Sequence, residues 1–524
     1  SSQPLATQAG LSILMKGGNA ADAAVAMAAA LNVTEPASTG LGGDCFALFF
    51  DAKTKNITAL NGSGRAPAGL SIELLKQQHL ISPRKSVIAD EYHAHNITVP
   101  GACGGWCAMA ARHGTMKLAE IFAPAIELAE NGYPVAPLTA HFWGGLVARR
   151  LATTLGGTEL LIDGSGPRAG EIFRNPGLAR TLKEIAGGGP DAYYKGEIAR
   201  SIAQTVQKAG GVMTVEDLAA HETTWHEPIG IDYRGMKVWE CPPNGHGIAA
   251  LLALNVLEGF DVASIPPESA QRWHLLIEAM RVAFADTSWY VADPKFSKVP
   301  VAELLSKDYA AQRRKLINLE KATLDTQKGT PVASSGTVYF CVVDGQGNAC
   351  SFINSNYLSF GTGIVPAGWG FALQNRGNCF SIDPNHPNAL APRKRPYHTI
   401  IPGMITRQDG SLYAPFGVMG GYMQPQGHMQ VAVAMLDDQL EPQEALNRLR
   451  FCIEPASAAG VVSLEEGIPE QVVEKLREIG HPIKGVITGY NRATFGRGQI
   501  IRREASGVLW AGSDPRADGC AMGF

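Results

Sequence analysis

The stretch from residue 337 to residue 344 constrains the possible folds of this chain more than any other. It reads Thr-Val-Tyr-Phe-Cys-Val-Val-Asp, which is β-branched, aromatic and apolar at consecutive positions, and a Gly-bearing turn follows it. A strand with only one buried face would alternate apolar and polar residues. The pattern therefore predicts a strand covered on both faces, as in an α/β protein whose central sheets carry helical outer layers.

Other segments indicate which elements accompany this strand. Several stretches have apolar residues at helical period or are Ala-rich, and shorter β-type runs border turns. Gly- or Pro-bearing turns separate them. An opening helix is predicted from Pro4 to the Gly17-Gly18 pair; the other predicted helices are residues 20–31, 119–130, 178–185, 199–208, 270–285 and 425–436, and the predicted strands are residues 45–50, 57–60, 348–354 and 413–418.

The charge and cysteine patterns exclude several classes of function. A formal net charge of −3 on 524 residues offers no basic surface for nucleic acid or an acidic membrane. The nine cysteines have no repeated spacing and no Cys-x-x-Cys pair, so neither a disulfide framework nor a cysteine zinc site is predicted. No apolar run reaches the length of about 18 residues that a membrane-spanning helix needs.

A small, polar segment, residues 327–336, reads as an exposed linker before the buried strand. The Thr337 hydroxyl can attack the Gly336 carbonyl, which is sterically open because glycine has no Cβ. Hydrolysis of the resulting ester would free an α-amine on Thr337 with a pKa near ~7.7–8.0, and that amine can act as general base for the hydroxyl. From these residues alone, a plain Ser/Gly-rich loop before a strand is the favoured interpretation.

Acyl transfer also requires N–H donors for a developing oxyanion, and Gly420-Gly421 is a candidate. The pair lies between a predicted strand and a predicted helix, where no Cβ obstructs the backbone N–H groups. The alternative is a tight strand–helix turn, and Gly361-Thr-Gly363 is ambiguous in the same way.

Three further candidates are weaker. His93 and His95 have no third ligand placed by spacing, so an exposed loop pair is favoured over a metal site. Gly40-Leu-Gly-Gly43 lacks the Lys-Ser/Thr of a phosphate-binding loop. Arg65 could bind a carboxylate with its guanidinium, although a lone arginine is more often a solvated surface residue.

An ordered set of short motifs covers nearly the whole chain and resembles the γ-glutamyltranspeptidase family. Each motif is weak alone, whereas the order of the set is specific. The resemblance favours Thr337 as a nucleophile over a loop residue. In chain order the motifs are Gly17-Gly-Asn-Ala-Ala-Asp22, Gly40-Leu-Gly-Gly43, Val99-Pro-Gly101, Tyr233-Arg-Gly235, Gly336-Thr337, Phe360-Gly-Thr-Gly363, Lys394-Arg-Pro396, Gly420-Gly421 and Ser513-Asp-Pro515.

The resemblance implies a four-layer αββα sandwich of the N-terminal-nucleophile hydrolase type. It implies a proenzyme that cleaves itself into a large subunit, residues 1–336, and a small subunit, residues 337–524, which stay together as one folding unit. The implied substrates are γ-glutamyl amides such as glutathione, whose acyl group passes to water, to an amino acid or to a peptide. No metal or organic cofactor is implied.

Four residues match the catalytic positions of the family. Thr337 matches the nucleophile, and Gly420 and Gly421 match the oxyanion-hole glycines. Ser355 falls where the family has a second threonine that hydrogen-bonds the amine of the nucleophile, and its hydroxyl can keep that role.

The substrate pocket departs from the family pattern. Tyr357 stands in place of an Asn near the substrate carboxylate, Arg376 in place of a Gln or Glu, and Cys379 in place of the Asp that binds the α-ammonium. His398 and Thr399 stand where two serines hold the α-carboxylate, and Arg65 is displaced from the position of the family's carboxylate-binding arginine.

These departures favour an acyl group with a carboxylate but no α-ammonium, such as glutaryl, because a desolvated ammonium needs an anionic partner. The alternative interpretation is that the Arg376 side chain points away from the pocket and forms a structural salt bridge, while another acid binds the ammonium. The expected activity is amide hydrolysis, with water as the main acceptor, on a γ-glutamyl or glutaryl-type amide. A glutaryl-cephalosporin acylase-like enzyme with little γ-glutamyl activity is one alternative, and a catalytically silent binding scaffold is another.

The compartment is left open. The sequence begins at Ser1 without a leader, which slightly favours the cytoplasm, but a chain can begin after a removed leader. Members of the family are often periplasmic or extracellular.

Overall fold

The computed structural model describes residues 1–81, 88, 90–325 and 336–524, the last stretch beginning with the backbone of Gly336. Helices and strands are both abundant in this part of the chain. The helices are α1 Pro4–Met15, α2 Ala20–Thr34, α3 Ile72–Gln77, α4 Ala102–His113, α5 Leu118–Asn131, α6 Pro137–Trp143, α7 Gly145–Thr153, α8 Pro176–Tyr194, α9 Glu197–Lys208, α10 Val215–Ala219, α11 Ile248–Leu257, α12 Ala270–Tyr290, α13 Val301–Leu304, α14 Lys307–Arg314, α15 Met423–Leu436, α16 Pro442–Asn447 and α17 Glu470–Ile479.

The strands form two large sheets and two small ones. They are β1 Asp44–Phe50, β2 Ile57–Gly62, β3 Tyr133–Pro134, β4 Ile172–Phe173, β5 Thr224–His226, β6 Ile229–Tyr233, β7 Met236–Glu240, β8 Gly336–Val343, β9 Ala349–Tyr357, β10 Gly403–Arg407, β11 Leu412–Met419, β12 Phe451–Glu454, β13 Val461–Glu465, β14 Ile483–Ile487, β15 Arg497–Arg503 and β16 Leu509–Ser513.

The two large sheets are antiparallel throughout the described chain. The first has the order β5-β2-β1-β9-β8 and the second the order β16-β15-β11-β10-β7-β6. Both sheets combine strands that precede residue 336 with strands that follow it. In the first sheet, β1 is paired with β2 on one side and with β9 on the other.

Strand β8 is buried on both faces, as the run of apolar residues predicts. Val338 and Phe340 belong to an apolar cluster that includes residues of α1, α2, α4, α5, α8 and α9. Tyr339 and Cys341 point the other way, into a cluster shared with Met404 and other residues of the second sheet. The second sheet contributes to a further cluster with α11, α12 and α15. Strand β8 therefore lies between a helical layer and the second sheet.

Helix α2 shows why an Ala-rich segment forms a central helix here. Its N-cap Asn19 accepts hydrogen bonds from the Ala21 and Asp22 N–H groups, and the Asp22 carboxylate accepts from the Asn19 N–H. This reciprocal cap satisfies N–H groups at the end of the helix. Every residue of α2 is buried, so its small side chains allow close packing on all sides. The predicted buried helix and its Asn19 cap are confirmed.

The boundaries of other elements differ from the sequence predictions by a few residues. The helix predicted from Pro425 begins at Met423, and α8 continues past the predicted 178–185 segment through a kink at Gly189, where φ is 62°. The predicted linker, residues 327–336, lies outside the described residues except for Gly336, which is already part of β8. No helix in the described ranges is long and apolar enough to cross a membrane.

Candidate active site

Thr337 is the second residue of β8 and is fully buried. The β8–β9 register shifts at this point, because Gly336 pairs with Tyr357 whereas Val338 pairs with Asn354. Irregular pairing of this kind changes the direction in which side chains point and is common near active sites. The Thr337 hydroxyl donates to the Ser355 hydroxyl at 3.1 Å. The structure thus brings together the predicted nucleophile and the predicted partner.

Ser355 also connects Thr337 to the predicted pocket. Its Oγ accepts a hydrogen bond from the Tyr357 N–H at 2.9 Å and another from Arg376 Nη2 at 3.0 Å. Tyr357 has a φ of 73°, in the left-handed region that bulky residues seldom adopt. In this conformation its ring lies 4.5 Å from the Arg376 guanidinium carbon, in a cation–π contact. The strained backbone of Tyr357 therefore coincides with a contact in the candidate pocket.

Arg376 is fully buried in a 3-10 helical turn, Arg376–Cys379. Its Nη1 donates to Thr399 Oγ1 at 2.6 Å and lies 4.0 Å from Cys379 Sγ. Within the described ranges, the Arg376 guanidinium has no ion pair and its Nε has no hydrogen-bond partner. The alternative in which Arg376 forms a structural salt bridge is therefore not what the structure shows. A buried cation without a contacting carboxylate is costly, and an anionic ligand would lower that cost.

Cys379 supplies no negative charge to balance Arg376. Burial raises the pKa of the Cys379 thiol above its ordinary value, although the Arg376 charge acts in the opposite direction. The thiol is thus neutral near pH 7. The position that the family fills with an acid therefore carries no negative charge in this chain.

Three aromatic residues that sequence reasoning missed border the same region. The rings of Tyr397 and Tyr422 are stacked at 5.8 Å, and His246 packs edge-on against both. His246 Nδ1 lies 2.9 Å from the Tyr397 hydroxyl. The Arg376 charge acts on the pKa of Tyr422 and of His246, which places them close to Arg376. No sequence motif links these three positions, and His246 and Tyr397 are 151 residues apart in sequence.

Asp44, also missed, is the carboxylate at the centre of the neighbouring network. Its Oδ1 accepts from the Gly64 and Gly101 N–H groups and from Gln374 Nε2, each at 3.0 Å, and its Oδ2 accepts from His398 Nε2 at 3.0 Å. Burial by itself raises the pKa of Asp44, but the hydrogen bonds from His398 and Gln374 and the positive charge of Arg376 outweigh it and lower that pKa. Asp44 is ionised and already has four donors.

His398 faces Asp44. Burial and, after it, the Arg376 charge lower the pKa of His398 to about 3, so its ring is neutral near pH 7. Nε2 then carries the proton donated to Asp44, and Nδ1 accepts from the Ile400 N–H at 3.4 Å. Both ring nitrogens are engaged, so the predicted contact of His398 with substrate stays a prediction. Thr399, its neighbour, does lie beside Arg376.

Gly420 and Gly421 lie between the end of β11 and the start of α15, as predicted. Their φ angles are 137° and 60°, values that favour glycine. In the described part of the chain, neither backbone N–H has a hydrogen-bond acceptor. Met419, the preceding residue, shares the core between the sheets with Tyr339, two residues after Thr337. The glycines thus directly follow β11, which packs against the nucleophile strand β8.

Arg65 directly follows Gly64, whose backbone N–H donates to Asp44. Its charge contributes, after burial, to lowering the pKa of Arg395 to about 10, which places it beside another cation. Among the described residues its guanidinium forms no ion pair. The proposed role of Arg65 in binding a carboxylate stays a prediction.

A second buried group of titratable residues lies away from the candidate active site. Ligand atoms of His274, Glu278 and His481 lie within 4.8 Å of one another. Arg281 Nε is 3.7 Å from Glu278 Oε1, so the carboxylate already has a cationic partner. A divalent cation here would leave a buried excess of positive charge. The group is better explained as a structural network, since Glu278 also accepts from the Thr323 N–H at 3.1 Å.

Buried neutral histidines predict a loss of stability in acid. Burial lowers the pKa of both His398 and His481 to about 3, below the unfolded value near ~6.5. Below pH ~6.5 the unfolded chain binds protons that the folded chain does not, so each such histidine lowers the free energy of unfolding by up to about 1.4 kcal/mol per pH unit. The urea concentration at the midpoint of unfolding should therefore decrease when the pH is lowered from 7 to 5.

The matched variants are His481→Gln and His79→Gln, the second at an exposed position. His481→Gln should reduce the loss between the two pH values, and His79→Gln should not. An identical loss in both variants would contradict the assignment to buried histidines.

Comparison with known proteins shows to which family the chain is similar. A family model described as Gamma-glutamyltranspeptidase matches residues 6–524. The "Glutathione hydrolase-like YwrD proenzyme" of Bacillus subtilis is 36% identical over 522 residues, covering 99% of this chain and 97% of that protein. The "Acylase ACY 1 proenzyme" of Pseudomonas sp. (strain SE83) is 35% identical over 528 residues, covering 98% and 91%. A crystal structure of cephalosporin acylase from Bacillus halodurans is 44% identical with a TM-score of 0.89, covering 100% and 95%.

Proposed function

The chain belongs to the γ-glutamyltranspeptidase family, and on that premise we propose that it is a self-processing amidohydrolase with Thr337 as its nucleophile. The enzyme resembles γ-glutamyltransferases and glutathione hydrolases of the N-terminal threonine type. Support comes from the Thr337 hydroxyl at the start of a buried strand and from its hydrogen bond to Ser355. Several relatives have names that end in "proenzyme", in keeping with a chain that is cut.

The proposed architecture is the four-layer αββα sandwich. Three apolar clusters support it: one between helices and the first sheet, one between the sheets, and one between the second sheet and helices α11, α12 and α15. The proposed products of cleavage are residues 1–336 and 337–524. Each large sheet contains strands from both pieces, which supports their staying together as one folding unit.

Self-cleavage would begin with addition of the Thr337 hydroxyl oxygen to the Gly336 carbonyl carbon. The C–N bond then breaks, and the hydroxyl proton ends on the nitrogen, leaving an ester. The break also frees the Thr337 α-amine. Water then cleaves the ester to a Gly336 carboxylate and regenerates the Thr337 hydroxyl. The amine, with a reference pKa near ~7.7–8.0, becomes the general base of the mature enzyme.

In turnover, the α-amine removes the proton of the Thr337 hydroxyl as its oxygen attacks the substrate amide. The N–H groups of Gly420 and Gly421 stabilise the oxyanion, and the ammonium returns the proton to the leaving amine. The acyl-enzyme is an ester of Thr337. Water, deprotonated by the same amine, then releases the acid. Ser355, which contacts Thr337 at 3.1 Å, orients the nucleophile through these steps.

The unpaired charge of Arg376 carries the proposal for the substrate. Its guanidinium is fully buried beside Ser355 and contacts no carboxylate of the described residues. An acyl group with a distal carboxylate, such as glutaryl, would supply that partner. The α-ammonium of a γ-glutamyl group would instead meet Arg376 and the neutral Cys379, while the nearby Asp44 already accepts four hydrogen bonds.

The names of relatives support a second candidate, a γ-glutamyl hydrolase. Glutathione hydrolases and acylases both cover almost the full chain at similar identity. A catalytically silent scaffold is the third candidate, and the arrangement of Thr337, Ser355, Gly420 and Gly421 argues against it.

The deciding experiment compares the turnover of glutaryl and γ-glutamyl p-nitroanilides. We expect kcat/KM to be at least about 10-fold higher for glutaryl, since a charge-assisted hydrogen bond contributes about 1.5–3 kcal/mol. Pentanoyl p-nitroanilide, which has the same chain length without the carboxylate, is the control for anion recognition. A strong preference for the γ-glutamyl substrate would sink the glutaryl assignment, and an inactive, uncut chain would favour the scaffold.

A further inference from the structure

A cleft of about 540 Å³ is lined in part by Gly420. Its walls come from residues near Ser38 and Ser359 on one side and from β14 and the following 3-10 helix, Gly489–Phe495, on the other. The cleft contains both apolar and charged side chains. Its only catalytic candidate in the described lining is Gly420.

The position of the cleft indicates which half of the substrate it would hold, the acyl group or the amine. A carbonyl held at Gly420 and Gly421 carries the acyl chain on one side and the amine on the other. The proposed acyl region around Arg376, Tyr357 and Thr399 is buried and shares no residue with the described lining of the cleft. The amine has to depart to solvent, and the lining of the cleft includes both Gly420 and the exposed residues Lys484 and Val486.

The charged groups in the cleft wall are two cations and one carboxylate. Arg497 is buried and held by Glu35 Oε2 at 3.3 Å and by Ser38 Oγ at 3.5 Å. Lys484 is exposed, and within the described residues it has no carboxylate within ion-pair distance. Glu454, at the end of β12, is the carboxylate. The positive charge of Lys484 is therefore free to meet a ligand.

We propose that this cleft binds the amine side of the amide and favours leaving groups that carry a carboxylate, with Lys484 as the residue that selects them. The inference rests on the proposed amidohydrolase function and extends it to the other half of the substrate. Four apolar residues provide a surface for a flat or cyclic leaving group, and they are Phe142, Val147, Val486 and Ile487. Glu454 opposes the preference and limits its size.

The experiment uses two chromogenic substrates with the same glutaryl group, the p-nitroanilide and the 3-carboxy-4-nitroanilide. The quantity measured is the ratio of kcat/KM for the carboxylated substrate to that for the plain one. Comparing this ratio among variants cancels the difference in intrinsic reactivity of the two anilides. Lys484→Gln should lower the ratio about two- to five-fold, the range expected for a solvent-exposed ion pair. Glu454→Gln, which removes the opposing charge, should raise it.

Lys475→Gln is the matched control, because it removes one exposed positive charge from α17, outside the cleft lining. It should leave the ratio unchanged. Added salt should lower the ratio in the wild type and much less in Lys484→Gln, since salt screens exposed charges.

An unchanged ratio in Lys484→Gln, or equal changes in Lys484→Gln and Lys475→Gln, would overturn the inference while leaving the proposed hydrolase intact. No turnover by the wild type of either glutaryl anilide or of γ-glutamyl p-nitroanilide would overturn the proposed function, and this inference with it. Turnover of the γ-glutamyl substrate alone would overturn only the glutaryl assignment, and the same ratio is then measured with γ-glutamyl anilides.

Discussion

A Thr337→Ala chain should remain a single 524-residue polypeptide and lose at least about 10³-fold in amidase activity. The substitution removes the oxygen that the proposal assigns to both reactions, the attack on Gly336 and the attack on the substrate amide. The methyl side chain of alanine is smaller than the buried threonine side chain that it replaces, so the fold should persist. Denaturing electrophoresis and intact mass report the first effect, and glutaryl p-nitroanilide hydrolysis reports the second.

Thr337→Ser is the matched control, because it keeps the hydroxyl and, after cleavage, the α-amine. It should still be cut at the same bond and retain measurable activity. Fragments of residues 1–336 and 337–524 from the alanine variant would show that another group performs the cleavage. A single band in the wild type, together with no amidase activity, would support the scaffold instead.

Arg376→Gln should lower kcat/KM for glutaryl p-nitroanilide by about 10- to 100-fold, as expected for the loss of a charged hydrogen-bond partner. The γ-glutamyl substrate should lose less or gain, since its ammonium no longer meets a buried cation. Cys379→Asp should also shift selectivity toward the γ-glutamyl substrate. The new carboxylate would lie where the sulfur is now, about 4 Å from Arg376 Nη1, and would supply an anion for the α-ammonium.

The two substrates separate recognition of the acyl group from a structural role of Arg376. Because Arg376 also donates to Ser355 at 3.0 Å, its loss could disturb the nucleophile. In that case both substrates would lose activity by the same factor, and the proposed recognition of a carboxylate would be wrong. Self-cleavage of the variant and its thermal midpoint provide the check that the fold is intact.

Local patterns were sufficient to predict the elements that hold the nucleophile. The consecutive apolar residues of β8 and the small residues of α2 each reflect burial that a single segment experiences on all sides. The position of Gly420 and Gly421 between a strand and a helix is also predicted correctly, because paired glycines are typical of a tight turn between two such elements. In each case one short stretch contains the whole physical cause.

The surroundings of Arg376 could not be predicted in this way. Asp44, Tyr397, Tyr422 and His246 come from four separate segments, and only the packing of the two sheets brings them near one another. Asp44 follows Gly40-Leu-Gly-Gly43 and starts β1, where a lone acid reads as an ordinary turn residue. Its four donors come from residues 64, 101, 374 and 398. No periodicity or spacing relates these positions.

The mixed origin of the strands in each sheet also affects how this protein can recover from denaturation. Before the proposed cut, β1 and β9 are parts of one chain, and refolding is an intramolecular search. After the cut, the same antiparallel pairing has to form between two separate polypeptides. Refolding of the mature enzyme then becomes second order in protein and slows on dilution, whereas the precursor refolds at a rate independent of concentration. The mature form is thus protected by the slowness of its unfolding rather than by its ability to fold again.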